Sequence, residues 1–275
     1  MATYVIGDIQ GCRQEFEDIL ESISFDSGSD KLWLTGDIIN RGPDSLGALR
    51  LAKHYNVLSV LGNHECHLLA VANDVTNAGK KDTLQAIINA DDGEELLDWI
   101  RHFPLIHHNA DLGFTMVHAG LHPQWNLSQS LQLSHEVETV MQSDNFTGLL
   151  ANMYGDTPDQ WHDELNGWER LRCIINYCTR SRYYKLSGKI NLKDKGPPGS
   201  QKDGYYPWYS IEERKMANNS IVFGHWASLH DGDPRQFESY NIYPLDTGCV
   251  WGRKLTALRL EDKCIFQVPS IQQQL

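Results

Sequence analysis

The sequence is short of positive charge and has no long apolar run. Its 275 residues include 24 Lys and Arg against 36 Asp and Glu, a net charge of −12. Surfaces that bind nucleic acid or anionic membranes are normally basic, so we expect no stable nucleic-acid complex. No apolar stretch approaches the roughly 20 residues of a membrane-spanning helix, so we expect no membrane partner. A small polyanionic substrate stays compatible if metal ions and a few arginines reverse the charge locally.

The sequence also lacks any paired arrangement of cysteines. None of its six cysteines forms a C-x-x-C motif, and a chain of this length does not need disulfide bonds to fold. Residues 2–6 already have the character of a strand, which leaves no room for a signal peptide. We therefore expect free thiols and a cytoplasmic protein.

What the sequence does contain is one pattern that occurs five times. A short apolar run ends, and a side chain able to bind metal follows it. The runs are residues 4–6, 32–34, 57–61, 114–117 and 221–223, and the side chains are Asp8, Asp37, Asn63, His118 and His225. Strand ends in α/β sheets commonly carry ligand-binding groups, because the strands are rigid and the loops beyond them are open.

Each of these residues alone has an ordinary explanation. Gly7-Asp8 resembles a turn, Asn63 a helix cap, and a lone histidine a buried core residue. Together the five are better explained by convergent metal ligands, and we predict a metal site.

The chemistry of the five side chains restricts the metal. They offer oxygen and imidazole donors and no thiolate, which suits Mn²⁺, Co²⁺, Fe or Mg²⁺ better than a structural zinc site. Five or six ligands are too many for one ion with open positions but fit two. Two ions about 3.5–4 Å apart need a carboxylate between them and can convert a shared water to hydroxide. Asp37, from the second of the five runs, is the natural bridge.

Strand and helix patterns alternate along the first half of the chain. This alternation predicts an α/β protein with a mixed sheet and helices packed on it. Helices are expected at residues 13–23, from Leu46 through Ala52, from His64, and at 94–103. Later strands are expected at residues 221–225, 240–245, 255–260 and 264–268. Residues 124–219 are polar with scattered Trp and Tyr, and we interpret them as a mainly helical insertion in a single domain of residues 1–275. Within the insertion, residues 189–203 are expected to be an exposed loop.

The complete motif set resembles the calcineurin-like metallophosphoesterases over residues 4–225. It consists of Gly7-Asp8-x-x-Gly11, Gly36-Asp37-x-x-Asn40-Arg41-Gly42, Gly62-Asn63-His64-Glu65, His118-Ala119-Gly120 and Gly224-His225. Four further features are similar to the bacterial enzymes that cleave dinucleoside tetraphosphates symmetrically. They are Gln10 in place of a histidine, the Arg41-Gly42-Pro43-Asp44-Ser45-Leu46 run, the Thr179-Arg180-Ser181-Arg182-Tyr183 segment and the ending Leu245-Asp246-Thr247-Gly248-Cys249-Val250-Trp251-Gly252.

This resemblance implies a four-layer sandwich of two mixed sheets flanked by helices. It also implies hydrolysis of diadenosine tetraphosphate to two ADP, with Mn²⁺ or Co²⁺. By position, Asp8 and Gln10 would bind the first metal, Asp37 would bridge, and the second metal would be bound by Asn63, His118 and His225. His64 would protonate the leaving oxygen, and Arg41 would hold the phosphate.

The resemblance also suggests roles outside the ligand set. Arg180 and Arg182 would contact phosphate from the insertion; a solvated helix face is the alternative, and the resemblance favours the phosphate role. Asp246 would orient a ligand histidine. Asn40 stands where protein phosphatases have an aspartate that orients the acid histidine, which fits a leaving group that needs little help.

Two other functions are compatible with parts of this pattern. A Ser/Thr protein phosphatase shares the same dimetal core. A catalytically silent module that binds phosphate or nucleotide would share it too, but the intact ligand set and His64 argue against that alternative.

Overall fold

A computed structural model describes residues 1–230 and 232–272, in which two main sheets lie at the centre. The helices are α1 (Arg13–Ser22), α2 (Ser45–His54), α3 (Asn63–Ala72), α4 (Gln85–Ile88), α5 (Gly93–Arg101), α6 (Leu127–Met141), α7 (Phe146–Met153) and α8 (Gly167–Arg180). The strands are β1 (Thr3–Ile6), β2 (Lys31–Leu34), β3 (Leu58–Ser59), β4 (Ile106–Asn109), β5 (Phe114–Val117), β6 (Tyr183–Tyr184), β7 (Ile190–Asn191), β8 (Tyr206–Pro207), β9 (Ser220–Phe223), β10 (Ile242–Pro244), β11 (Lys254–Arg259) and β12 (Cys264–Pro269).

The first sheet has the strand order β12-β11-β1-β2-β3. Strands β1, β2 and β3 are parallel, and Ile6 pairs with Leu34, so β1 and β2 end at the same edge. Strand β11 is antiparallel to β1, and β12 is antiparallel to β11. This register places the residues that follow β1 and β2 beside one another.

The second sheet has the strand order β10-β9-β5-β4. Strand β5 runs parallel to β9, and the antiparallel β4 closes the edge. Just beyond the strand ends, the backbone N–H of Gly224 donates to the carbonyl oxygen of His118 at 2.9 Å. The pairing of β5 with β9 therefore continues into the two segments that carry His118 and His225.

Alternating side chains divide the core into layers. On β1, Val5 belongs to a buried cluster with Trp33, Phe114 and Val222, which fills the space between the two sheets. The adjacent Ile6 belongs instead to the larger cluster that includes the helices. Because successive strand residues point to opposite faces, each sheet packs on its partner with one face and on helices with the other. Helix α1 contacts β11 and β12, and α6 contacts β4, which confirms the predicted α/β sandwich.

Residues 124–219 contain α6, α7 and α8, followed by a small sheet of order β7-β6-β8. The prediction of an exposed loop over residues 189–203 is wrong at its start. Ile190 and Asn191 form β7, pair with Tyr184 and Tyr183 of β6, and are buried. The backbone of β7 pairs with β6, and the apolar side chain of Ile190 is buried. The Pro- and Gly-rich part of the segment lies at the surface.

Among the residues described, the helices all lack the length and apolar character that crossing a membrane requires.

Candidate active site

The five strand ends converge at one place. Asp8 follows β1, Asp37 follows β2, and Asn63 begins α3, while His118 and His225 follow β5 and β9. Ligand atoms of Asp37, His118 and His225 all lie within 4.8 Å of one another. The structure therefore brings together residues that are up to 217 positions apart in the sequence.

Three of the predicted site residues lie at sharp turns, where their backbone adopts the left-handed conformation. Gln10, Asp37 and His225 have φ angles of 48°, 50° and 66°. Non-glycine residues avoid this region because Cβ approaches the backbone, and such strain is concentrated at functional sites. The turn at His225 also explains why β9 ends at Phe223, two residues before the strand end predicted from sequence.

His118 is held in one tautomer by the backbone. Its Nδ1 lies 2.7 Å from the carbonyl oxygen of Thr35 and therefore carries the proton. The opposite nitrogen, Nε2, lies 3.5 Å from Asp37 Oδ1 and keeps its lone pair. An imidazole oriented by a carbonyl in this way is arranged as metal ligands usually are.

Asn63 lies between the two histidines. One terminal atom of its amide is 3.2 Å from His118 Nε2 and 2.8 Å from His225 Nδ1. The other ring nitrogen of His225, Nε2, is buried without a hydrogen-bond partner. Burial lowers the pKa of His225 well below its usual value, so the ring is neutral and can donate a lone pair.

Asp8 supplies a buried oxygen that the described part of the chain leaves unsatisfied. Its Oδ1 accepts from the backbone N–H of His225 at 3.0 Å, whereas its Oδ2 has no partner among residues 1–230 and 232–272. Burial raises the pKa of Asp8 well above its usual value, and the carboxylates of Asp246 and Asp37 add to the rise. Buried like charges with a free oxygen are stabilised by divalent cations, so these residues fit a metal centre.

Gln10 and His64 complete the immediate surroundings of Asp37. Gln10 Nε2 donates to Asp37 Oδ2 at 3.4 Å, and the backbone N–H of His64 donates to Oδ1 at 2.9 Å. The ring of His64 lies with Nε2 3.6 Å from Asp37 Oδ2, while its Nδ1 is buried without a hydrogen-bond partner. Burial lowers the pKa of His64.

The side chain of Asn40 forms hydrogen bonds with Arg41 and with residues 82–83, and not with His64. Its oxygen accepts from the backbone N–H groups of Arg41 at 2.9 Å and Thr83 at 3.0 Å, and its nitrogen donates to Asp82 at 3.1 Å. Asp82 also pairs with Arg41 Nη1 at 3.2 Å. An aspartate at position 40 would therefore face the Asp82 carboxylate, which sequence reasoning did not foresee.

The carboxylate of Asp246 bonds to the turn that follows it. Its Oδ1 accepts from the backbone N–H of Gly248 at 3.0 Å, because the chain turns back through the left-handed Gly248. Burial raises the pKa of Asp246 to about 6. The expected role of Asp246 in orienting a ligand histidine stays a prediction, whereas His118 is oriented by the Thr35 carbonyl, which carries no sequence signal because every residue has a carbonyl.

A cleft of about 670 Å³ opens beside the centre. Although the chain carries a net charge of −12, six cationic side chains border this cleft. They are Arg41, Lys81, Arg180, Arg182, Lys195 and Arg253. The cleft can therefore accept a compound with several negative charges.

The two arginines predicted from the insertion differ in their environment. Arg182 is half-buried, donates to the carbonyl oxygen of His225 at 3.1 Å and has no partner for Nε among the described residues. Burial lowers the pKa of Arg182 to about 10, so it remains charged at neutral pH. Arg180 is one-third exposed and bonds to Asn176 at 2.9 Å and Asp156 at 3.1 Å.

Glu65 is a residue whose importance sequence reasoning missed. Its carboxylate accepts from the backbone N–H groups of Asp37 and Ile38, each at 2.8 Å, and of Gly62 at 3.0 Å. Burial raises the pKa of Glu65, and the Asp37 carboxylate adds to the rise, while the backbone N–H groups of Asp37 and Ile38 oppose it. Its position three residues after the helix cap Gly62 is a capping signal that could have revealed part of this role.

The comparisons with known proteins agree with this geometry. A model of the calcineurin-like phosphoesterase family matches residues 1–252. A protein of Nitrosococcus oceani named bis(5'-nucleosyl)-tetraphosphatase, symmetrical, is 49% identical over 264 residues, covering 95% of this chain and 94% of that one. A protein of Methylobacillus flagellatus with the same name is 48% identical over 271 residues, covering 98% and 95%. A solved structure provisionally described as a diadenosine tetraphosphatase superposes with a TM-score of 0.65 at 26% identity, covering 98% of this chain and 94% of that one.

Replacing Glu65 with glutamine should destabilise the protein. The amide has one acceptor oxygen, and its NH₂ group would face a backbone N–H, leaving a buried donor unsatisfied. We expect the free energy of unfolding to fall by about 1–3 kcal/mol in urea titrations. Glu21→Gln, at an exposed position of α1, is the matched control and should change little. Equal effects of the two substitutions would contradict the assigned role of Glu65.

Proposed function

This chain belongs to the calcineurin-like phosphoesterase family, and we propose that it hydrolyses diadenosine tetraphosphate symmetrically to two ADP. The observation that carries the proposal is a cleft with six cations beside the carboxylate and imidazole centre. Relatives that share almost half of their residues over nearly the full chain are named for this reaction. A phosphoprotein substrate, which the same core could serve, has no such support.

We assign the two metal ions to the strand-end residues. Asp8 and Gln10 would hold the first ion, Asp37 would lie between the ions, and the second would be held by Asn63, His118 and His225. Supporting this assignment, Asp8 Oδ2 and His225 Nε2 are buried without partners. We propose Mn²⁺ or Co²⁺, with Mg²⁺ or Fe as alternatives, because the donors are oxygen and imidazole. Bound divalent ions polarise phosphoryl oxygens and lower the pKa of water.

Arginines from two parts of the chain would bind the polyphosphate. Arg41 and Arg180 are partly exposed at the cleft, and Arg182 is a fixed cation held against the carbonyl of His225. A tetraphosphate carries several charges, and each guanidinium can donate two parallel hydrogen bonds to phosphate oxygens. We propose that residues 124–219 form an insertion whose role includes supplying Arg180 and Arg182 to the cleft.

His64 would hold the proton for the leaving oxygen. Its imidazole borders the cleft beside Asp37, and the expected neighbour Asn40 does not polarise it. A nucleoside diphosphate is a weak base, so its departure needs less proton transfer than the departure of an alkoxide. The unassisted imidazole therefore suits a phosphoanhydride better than a phosphoester.

We also propose a cytoplasmic location. The six cysteines are free thiols, five of them buried, and free thiols persist in reducing compartments.

Product analysis tests the proposed reaction. We expect the Mn²⁺-loaded protein to convert diadenosine tetraphosphate to ADP alone, since attack on the central anhydride gives two identical products. Chromatography of the products measures this result. AMP with ATP, a preference for a phosphopeptide, or no turnover by protein with bound metal would each contradict the proposal.

The assignment of His64 is tested by His64→Asn. We expect bound metal per chain to be unchanged, because His64 is assigned no ligand role. Turnover should fall by roughly 10²- to 10⁴-fold. Metal content and turnover are measured on the same preparation, with His54→Asn at an exposed position of α2 as the control. Loss of metal from His64→Asn would place His64 among the ligands instead.

A further inference from the structure

A side pocket of about 280 Å³ adjoins the cleft. It lies among α3, α8 and the segment that follows α7. Asn63 and Arg180 line both spaces, so the pocket opens next to the metal centre and next to an arginine assigned to phosphate. None of the roles assigned so far uses this pocket.

The walls of the pocket combine buried apolar side chains, polar side chains and one exposed aromatic ring. Cys66, Met153 and Ile175 are buried residues that line it. Tyr154, also in the wall, is 45% exposed. A partly exposed aromatic ring beside apolar side chains is suited to stack on another planar ring.

Hydrogen bonds fix the ring of Tyr154 in place. Its hydroxyl lies 2.8 Å from His67 Nδ1, and His67 Nε2 lies 2.9 Å from Asp82 Oδ2. Burial raises the pKa of Tyr154 to about 12, so its hydroxyl keeps its proton at neutral pH. Asp82 in turn pairs with Arg41 at 3.2 Å. The ring is therefore preorganised by the same contacts that position a phosphate-binding arginine.

The polar side chains of the pocket are engaged within the protein. Asn176 donates to the carbonyl of Gly155 at 2.9 Å and accepts from Arg180 at 2.9 Å. Thr179 donates to the carbonyl of Ile175 at 2.8 Å. The pocket thus offers ring and apolar surfaces to a ligand. Arg180 stands where the pocket meets the cleft, and its bonds to Asn176 and the partly exposed Asp156 leave its other guanidinium N–H groups for phosphate.

We propose that this pocket binds one nucleobase of the dinucleoside tetraphosphate, stacked on Tyr154, with the attached phosphates at Arg180. A nucleotide has this division between a planar aromatic part and an anionic part. The inference rests on the proposed function for the identity of the substrate.

Equilibrium binding tests this site without requiring turnover. The first probe is a diadenosine tetraphosphate analogue whose central bridging oxygen is replaced by a methylene group. The second probe is inorganic tetraphosphate, which has no base. Calorimetry would compare wild type, Tyr154→Leu, Tyr154→Phe and Tyr206→Leu. Tyr206 is the matched control, because it is 44% exposed and lines neither the cleft nor the pocket.

We expect Tyr154→Leu to weaken binding of the analogue by roughly 5- to 100-fold, the loss of one stacked base. Its affinity for inorganic tetraphosphate should stay within about twofold of wild type. Tyr154→Phe keeps the ring and should retain most of the affinity, and Tyr206→Leu should match wild type. An unchanged affinity of Tyr154→Leu for the analogue, or an equal loss for both probes, would overturn the proposal.

Photolabelling of the wild-type protein provides a second test that is independent of any variant. An 8-azidoadenine form of diadenosine tetraphosphate should label residues 153–156 or 175–180, and labelling confined to other segments would overturn the base site.

The proposed base site and the proposed reaction can fail separately. Two ADP with unchanged binding by Tyr154→Leu contradicts the base site alone, and base-dependent binding without ADP formation contradicts the reaction alone.

Discussion

The structure depends on the burial of several carboxylates at one point where two sheets end. Asp8, Asp37 and Glu65 are each less than 5% exposed. Buried carboxylates are unfavourable unless N–H donors or cations compensate them. Glu65 is compensated by three backbone N–H groups, and these bonds join the turn after β2 to the start of α3. Asp8 keeps an oxygen without a partner, which leaves room for a cation.

The remaining features of the site follow from this arrangement of charge. Carboxylate and imidazole side chains share the lining of the cleft with the six cationic side chains. An anionic chain with −12 net charge thereby presents a local positive field to a polyphosphate. The proposed base site at Tyr154 complements the uncharged part of the substrate. Its aromatic and apolar side chains would contact the nucleobase, while the cations of the cleft would bind the phosphates.

Much of the site could be predicted from sequence because its signals are local. An apolar run followed by Asp8, Asp37 or His118 combines a strand with a ligand in a few residues, and the parallel strand order brings such ends together. Another part had no local signal. The Thr35 carbonyl that orients His118 is supplied by tertiary packing. The turn at Asp246 and strand β7 did have local signals that sequence reasoning missed. Asp246 bonds to the backbone two residues later, and β7 pairs with the nearby β6 in a hairpin.

The most direct test of the account is whether two metal ions share Asp37. Electron paramagnetic resonance of protein titrated with Mn²⁺ measures both the number of bound ions and the magnetic coupling between them. We predict two Mn²⁺ per chain with a coupled spectrum, and loss of the coupling in Asp37→Asn. A single uncoupled Mn²⁺ per chain, or a coupled pair that persists in Asp37→Asn, would contradict the central claim.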